Sequence, residues 1–584
     1  MSRVSVEATS LLPCDVVTAW SLLADTNALN RAAGLDRMRL TPTAGSSAAR
    51  MIGTTRYGGL PATFEELPFV WEAPRAWSVE RRMTGGLTQR VETFYALHPT
   101  EDDLARFVVR IDVDVVSALL NPFARAQTQR SADALARAAV DLVTARASRA
   151  PVTLPAPVTS ALARLRPRVD DPALADRLAG WVVGADELAV ARIRPHALAD
   201  EWGVPRRALL ATCLAATQAG LLELSWELVC PGCRNGTTAL PSLATIVEDE
   251  GNCNACELRF RLDAEGAIEA LFRPQAAIRK VDETPFCSGG PVRMPHIVTQ
   301  GVIAAGRTAR LLAPLELGHL RATLRGHPAV EVDVVPGAPD EVTAAPGHGP
   351  VRVGPGGVVL VPNPTSEERH ARLERTDAPR DAATVRDVIT LPGFREAFSG
   401  DTLRPGFALT IGRVALFFSD LADSTQLYEQ VGDAAAFRLV QDHFALVEDI
   451  LRRHGGTVVK TIGDAVMAAF SDDSAAVAAA VEVLAAFERF RAEDPLRSRT
   501  HIKLGVHAGA CYAVTANGTL DYFGQAVNIA ARLQGLAASG ELVVDAELAR
   551  HAGETAHVGP VERATLKGVA DPVEVVRLRH APPS

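Results

Sequence analysis

The sequence predicts a multidomain α+β chain. Three observations carry this: its length, an N-terminal run of strand-like alternation closed by a long helical pattern, and a C-terminal stretch in which buried strand patterns alternate with amphipathic helices. At roughly 150 residues per domain, 584 residues amount to about four domains. A hydrophobic share of 47% and a charged share of 22% are those of globular chains. No apolar run approaches the roughly 18 to 20 residues of a membrane-spanning helix. The N-terminus MSRVSVEATSLL shows no basic stretch followed by an apolar core, so a cytoplasmic location is expected. The net charge of −9 argues against a protein dominated by phosphate-backbone contacts.

Residues 1–147 are expected to form one domain. A short helix near Asp15 to Leu23 precedes alternating strands at 77–83, 88–97 and 104–116, and an Ala- and Arg-rich helix from Asn121 to Arg146 follows. This order resembles the helix-grip domains of the START and polyketide-cyclase superfamily. The resemblance implies a cavity between sheet and helix for a small apolar ligand or lipid; a filled core is the competing reading.

A Pro-rich linker is expected at 148–170. Residues 171–228 then read as a winged-helix-like segment, two helices joined by a Gly203-Val204-Pro205 turn. The second helix offers only Arg206 and Arg207 to a nucleic acid, so DNA binding is not expected. Residues 229–260 hold Cys230 and Cys233, then Cys253 and Cys256, four of the eight cysteines. Paired CxxC knuckles at this separation predict a zinc ribbon, whose four thiolates fill a tetrahedral shell around one structural Zn2+; a redox switch is the rival reading, and a disulfide framework ranks below it. A β-rich region is expected at 261–365 with no catalytic constellation. The charged stretch TSEERHARLERTDAPRDAA opens an expected solvated linker, 366–410.

The last 170 or so residues concentrate the candidate chemistry. VALFFSD is a buried-strand pattern ending in Asp420, and Ser424 and Thr425 then open a helical segment. Phe437, Val440, Phe444, Val447 and Leu451 recur at spacings of three and four, marking an amphipathic helix stopped by Gly455 and Gly456. TVVKTI and AVMAAF flank Gly463-Asp464, a hairpin with Asp464 at its tip. Carboxylates at strand ends are the hard oxygen ligands that cations bridging phosphates require, although a capping or turn role fits each Asp taken alone. Further on, Asn528 and Arg532 lie one helical turn apart and share a helix face.

FFSDLADST, VVKTIGDAVMAAF, GVHAG and LDYFGQAVNIAARLQ together resemble the class III nucleotidyl cyclases, over about residues 411–580. The resemblance implies a ferredoxin-like catalytic domain that forms a homodimer and converts a nucleoside triphosphate to a 3′,5′-cyclic monophosphate and pyrophosphate. It implies that Asp420 and Asp464 hold two Mg2+ or Mn2+ ions, and that Lys460 and Asp521 contact the purine. Asn528 is implied to orient the ribose, Arg532 to stabilise charge on the α-phosphate, and Lys567 to contact phosphate. A Lys donor with an Asp acceptor suits adenine, so ATP is the expected substrate. Asp423 departs from the family, in which many members have Gly.

The adenylate cyclase reading thus leads, with regulation by the N-terminal domains. A guanylate cyclase, or a ligand-sensing or scaffold protein with a silent cyclase domain, are the alternatives.

Overall fold

The computed structural model describes residues 2–42, 50–57, 60–145, 153–231, 236–246, 248–253, 258–263, 267–282, 284–287, 290–291, 294–376, 382–391, 393–394, 398, 402–422, 432–553 and 556–580. At the N-terminus, strand Ser2–Leu12 pairs antiparallel with Ala105–Val115, followed across the sheet by Thr88–Pro99, Ala76–Met83 and Val70–Glu72. Helix Val16–Leu23 starts at Asp15, whose Oδ1 accepts from the Thr18 amide at 2.9 Å. Helix Asn121–Ala145 lays its Ala132, Leu135 and Ala139 face on the sheet. Inside, Trp77 stacks on Tyr95 at 5.0 Å and meets the edge of Trp20 at 5.3 Å.

This sheet does not end with the N-terminal domain. Strand Ile297–Ile303 pairs with Val70–Glu72 through Thr299 opposite Glu72 and Gln300 opposite Trp71. Beyond it come Arg369–Arg375, Gly318–Leu324, Val330–Val334 and Val351–Val353. The three-stranded sheet of Thr308–Leu312, Val358–Pro362 and Glu341–Thr343 packs on this extension, with Leu320, Val332, Val359 and Leu373 between the two.

Two expected linkers are structured. In 148–170, residues Ala156–Leu165 form a helix whose Val158, Ala161, Leu162 and Leu165 are buried. Its prolines stand at the helix start, where a missing amide costs nothing, so they initiate the helix. In 366–410, Arg369–Arg375 is an inner strand of the large sheet, and Val385–Ile389 is a short helix opened by a Thr384–Asp387 capping box. The charges that suggested solvation are paired instead, as in Arg321 Nε to Glu374 Oε1 at 2.8 Å.

Between these regions, helices Pro195–Trp202 and Arg206–Gln218 meet at Gly203, which closes the first helix in the left-handed region at φ 66°. Arg206 is taken up by Asp200, with contacts of 2.8 and 2.6 Å. Strand Leu222–Val229 follows and leads into Cys230, while Cys253 ends strand Glu250–Cys253; both cysteines are buried. Cys233 and Cys256 lie outside the described residues. Among the described residues no group of three or more His, Cys, Asp or Glu is arranged around a metal position, and no helix is long and apolar enough to cross a membrane.

The C-terminal sheet runs Thr457–Ile462, Ala465–Phe470, Ala408–Ala422, His501–Ala516, Glu541–Asp545, Val573–His580 and Ala556–Ala564, with Thr519–Phe523 pairing onto His501–Ala516. Side chains alternate across the central strand. Ala415, Phe417 and Leu421 pack with helices Asp433–Arg453 and Asp473–Ala492. Val414, Leu416 and Phe418 enter a second core that continues through Val385, Val388, Ile389, Leu391 and Leu403 to the helices of 156–218. Helix Asp433–Arg453 buries Leu439, Val440, Val447, Ile450 and Leu451, whereas Phe437, counted in the expected apolar stripe, is 61% exposed.

Candidate functional site

The central strand brings Asp420 to its C-terminal end, opposite Lys503 on the neighbouring strand. The next hairpin turns at Gly463, with φ 64°, and places Asp464 at the tip. Burial, and then the neighbouring charge of Asp464, push the Asp420 carboxyl above the usual carboxylate range, with Lys503 opposing. Asp464 Oδ2 is buried with no hydrogen-bond partner among the described residues. Two carboxylates close enough to repel, one with an unused oxygen, fit the hard-donor set of a divalent cation. Asp423, Ser424 and Thr425 lie outside the described residues.

Lys460 stands on the first strand of the hairpin, and Asp521 on strand Thr519–Phe523. Although remote in sequence, they meet: Lys460 Nζ donates to Asp521 Oδ2 at 2.5 Å, and the Tyr522 amide donates to Asp521 Oδ1 at 2.8 Å. The Asp carboxylate is thereby held by its own backbone, while the Lys side chain remains 40% exposed.

Asn528 and Arg532 both lie exposed on helix Gln525–Leu536, which buries Ala526, Ile529, Ala530 and Leu533. From the same helix Gln534 Nε2 donates to Asp420 Oδ2 at 3.4 Å. At about 100° per residue, Arg532 is turned roughly 160° from Gln534. The helix therefore touches Asp420 with one face and presents Asn528 and Arg532 elsewhere. Lys567 is exposed in the turn between strands Ala556–Ala564 and Val573–His580.

Sequence reasoning missed Lys503 and Gln534 beside Asp420. It also missed the His507 Nδ1 to Asp545 Oδ2 contact at 2.7 Å within GVHAG. Strand alternation could have flagged Lys503, since the IKLGV pattern buries Ile502 and Leu504 around it. Gln534 and Asp545 meet their partners only through tertiary packing.

Residues 408–578 match the family described as the adenylate and guanylate cyclase catalytic domain. Residues 158–285 match a family of unknown function (DUF5939). An uncharacterized protein of Mycobacterium tuberculosis is 35% identical over 168 residues, covering 28% of this chain and 41% of that protein. An adenylate cyclase of Mycosarcoma maydis is 34% identical over 188 residues, covering 28% of this chain and 7% of that protein. The chain thus spans 41% or less of the length of these two relatives. Among solved structures, the adenylyl cyclase CyaB from P. aeruginosa is 22% identical, covering 30% of this chain and 97% of that one, with a TM-score of 0.26. Residues 408–578 of the chain are an adenylate or guanylate cyclase catalytic domain.

Proposed function

We propose that the chain converts ATP to 3′,5′-cyclic AMP and pyrophosphate at sites completed by a second copy of itself. The observation that carries this is the Lys460–Asp521 contact of 2.5 Å, a donor and an acceptor side by side on the sheet that also carries Asp420 and Asp464. Lys460 can donate to a ring nitrogen of adenine while Asp521 accepts from the exocyclic amine. Guanine presents a carbonyl oxygen at that position, which the carboxylate repels.

Asp420 and Asp464 would hold two Mg2+ or Mn2+ ions, which supply Lewis acidity to the ribose 3′-hydroxyl and charge neutralisation to the triphosphate. The 3′-oxygen attacks the α-phosphorus, the bond from that phosphorus to the bridging oxygen of the pyrophosphate breaks, and the hydroxyl proton leaves to solvent. Arg532 opposes the charge that grows on the α-phosphate, and Asn528 holds the ribose. Lys567, exposed beyond the sheet, is assigned to the phosphate chain. Because Gln534 already brings one face of its helix to Asp420, Arg532 of the same chain is turned away. The arginine serving each pair of aspartates then comes from the other copy, giving a homodimer with two shared sites.

Mixing supplies the test. Asp420→Ala and Arg532→Ala proteins, each inactive, should recover part of the wild-type cyclic AMP production when combined, since a mixed dimer retains one intact site. Heterodimers without activity would refute shared sites, and a wild-type protein making mainly cyclic GMP would refute the adenine assignment.

A further inference from the structure

The hairpin spanning Thr457–Ile462 and Ala465–Phe470 carries Lys460 on one strand and Asp464 at its tip. Both of its ends converge on one side chain from outside the catalytic domain. Arg207, on helix Arg206–Gln218, donates through Nη2 to the carbonyl of Gly455, just before the hairpin, and through Nη1 to Ser471 Oγ at 3.1 Å, just after it. Nη2 also reaches the carbonyl of Thr390 at 3.1 Å. That carbonyl accepts from Thr457 Oγ1 at 2.7 Å, so the first residue of the hairpin is tied to the same point.

The local chemistry suits a guanidinium. Thr390 ends the short helix Val385–Ile389, and Gly455 follows the C-terminal end of helix Asp433–Arg453. Carbonyls at helix C-termini are left without intrahelical donors and carry the negative end of the helix dipole. A planar fork spreads its donors over separate nitrogens, so Nη1 and Nη2 reach acceptors on different segments at once, whereas the three donors of an ammonium radiate from a single nitrogen. Gly455 is shaped for the contact: its φ is +78°, and a Cβ there would stand 3.0 Å from Arg207 Nε. Asp387 and Asp472 are opposite charges that act on Arg207, while the contacts themselves go to two carbonyls and a hydroxyl.

We propose that Arg207 is a positioning residue for the cyclase reaction. By fastening both roots of the hairpin to the helices of residues 156–218, it sets where Lys460 and Asp464 stand. This rests on the reading of those two residues as purine and metal contacts. It also gives the region matching a family of unknown function a task in the chemistry, holding part of the nucleotide site in register.

The test uses the full chain with Arg207→Met, Arg207→Lys and, as a control, Arg206→Met, whose native partner is Asp200. Hydrogen exchange of amides 457–470 should speed up at least about tenfold in Arg207→Met and less in Arg207→Lys, with no change in Arg206→Met. In steady-state assays with ATP and GTP, Arg207→Met should raise KM and lower the ratio of the two kcat/KM values by at least about fivefold. Arg207→Lys should restore part of each. A ratio of this kind does not respond to the fraction of folded enzyme, so a merely structural role would leave it unmoved. Unchanged exchange in the hairpin, or faster exchange with unchanged KM and discrimination, overturns the proposal. A wild-type protein that forms no cyclic nucleotide overturns the cyclase reading instead, while exchange still decides whether Arg207 fastens the hairpin. Should Arg207→Met fail to fold, Arg207→Lys carries the same readouts.

Discussion

His443 gives the catalytic domain a calculable sensitivity to acid. It is fully buried on helix Asp433–Arg453, with its ring 5.0 Å from that of Phe444 and 6.1 Å from that of Phe487. Among the described residues neither ring nitrogen has a hydrogen-bond partner of normal geometry, and only the Val440 backbone, one turn earlier, offsets the burial. Burial therefore pushes the imidazole down from 6.5 to about 4. Between those values the unfolded chain binds a proton that the folded chain refuses, so stability rises with pH across that window and falls on acidification. At 1.36 kcal/mol per pH unit, the loss from pH 7 to pH 5 is about 2 kcal/mol. Met467, buried in strand Ala465–Phe470, is the one methionine within residues 408–578. Its oxidation by peroxide as a function of urea therefore reports the unfolding of this domain in the full chain. The difference between wild type and His443→Leu should change by about 2 kcal/mol between pH 7 and pH 5. A difference independent of pH would refute the assignment of a neutral, solvent-excluded imidazole.

The remaining expectations concern the site and its supports. Asp464→Ala should abolish measurable cyclic nucleotide formation while leaving the urea midpoint of Met467 oxidation within error of wild type. Arg532→Ala should lower kcat by about 100- to 1000-fold with KM little changed, the pattern of a group that acts on charge developing in the transition state. Gly455→Val should destabilise the catalytic domain by about 1 to 2 kcal/mol from its left-handed backbone alone, and by more because the side chain meets Arg207, as the same oxidation assay would show. Metal analysis should find one zinc per chain, lost in Cys230→Ser, if the four cysteines form a ribbon.

Much of the architecture was legible because it is written in local periodicity. The central strand, the helix Gln525–Leu536 and the hairpin around Gly463-Asp464 follow from alternation, three-four spacing and turn chemistry. Charge in strand Arg369–Arg375 misled, since a charged pattern does not reveal whether Glu374 will find Arg321 across the sheet. Proline in 148–170 misled in another way, because its effect depends on falling at a helix start or inside it. At the site, individual residue types were readable and their meeting was not. Nothing local in the sequence announces that Lys460 and Asp521 share a hydrogen bond, or that Arg207, weighed only for a nucleic-acid contact that was not expected, finds its three acceptors in backbone and hydroxyl groups from distant segments.

One apolar core runs from helices 156–218 through Val385, Val388, Ile389, Leu391 and Leu403 to Val414, Leu416 and Phe418 on the catalytic sheet. Cutting the chain before the catalytic domain would lay that sheet face open to water. The isolated piece would carry a sticky surface that the intact protein never displays, so its behaviour would mix altered regulation with self-association. Point substitutions within the whole chain, rather than truncations, are the instrument suited to separating how this protein is controlled from how it stays folded.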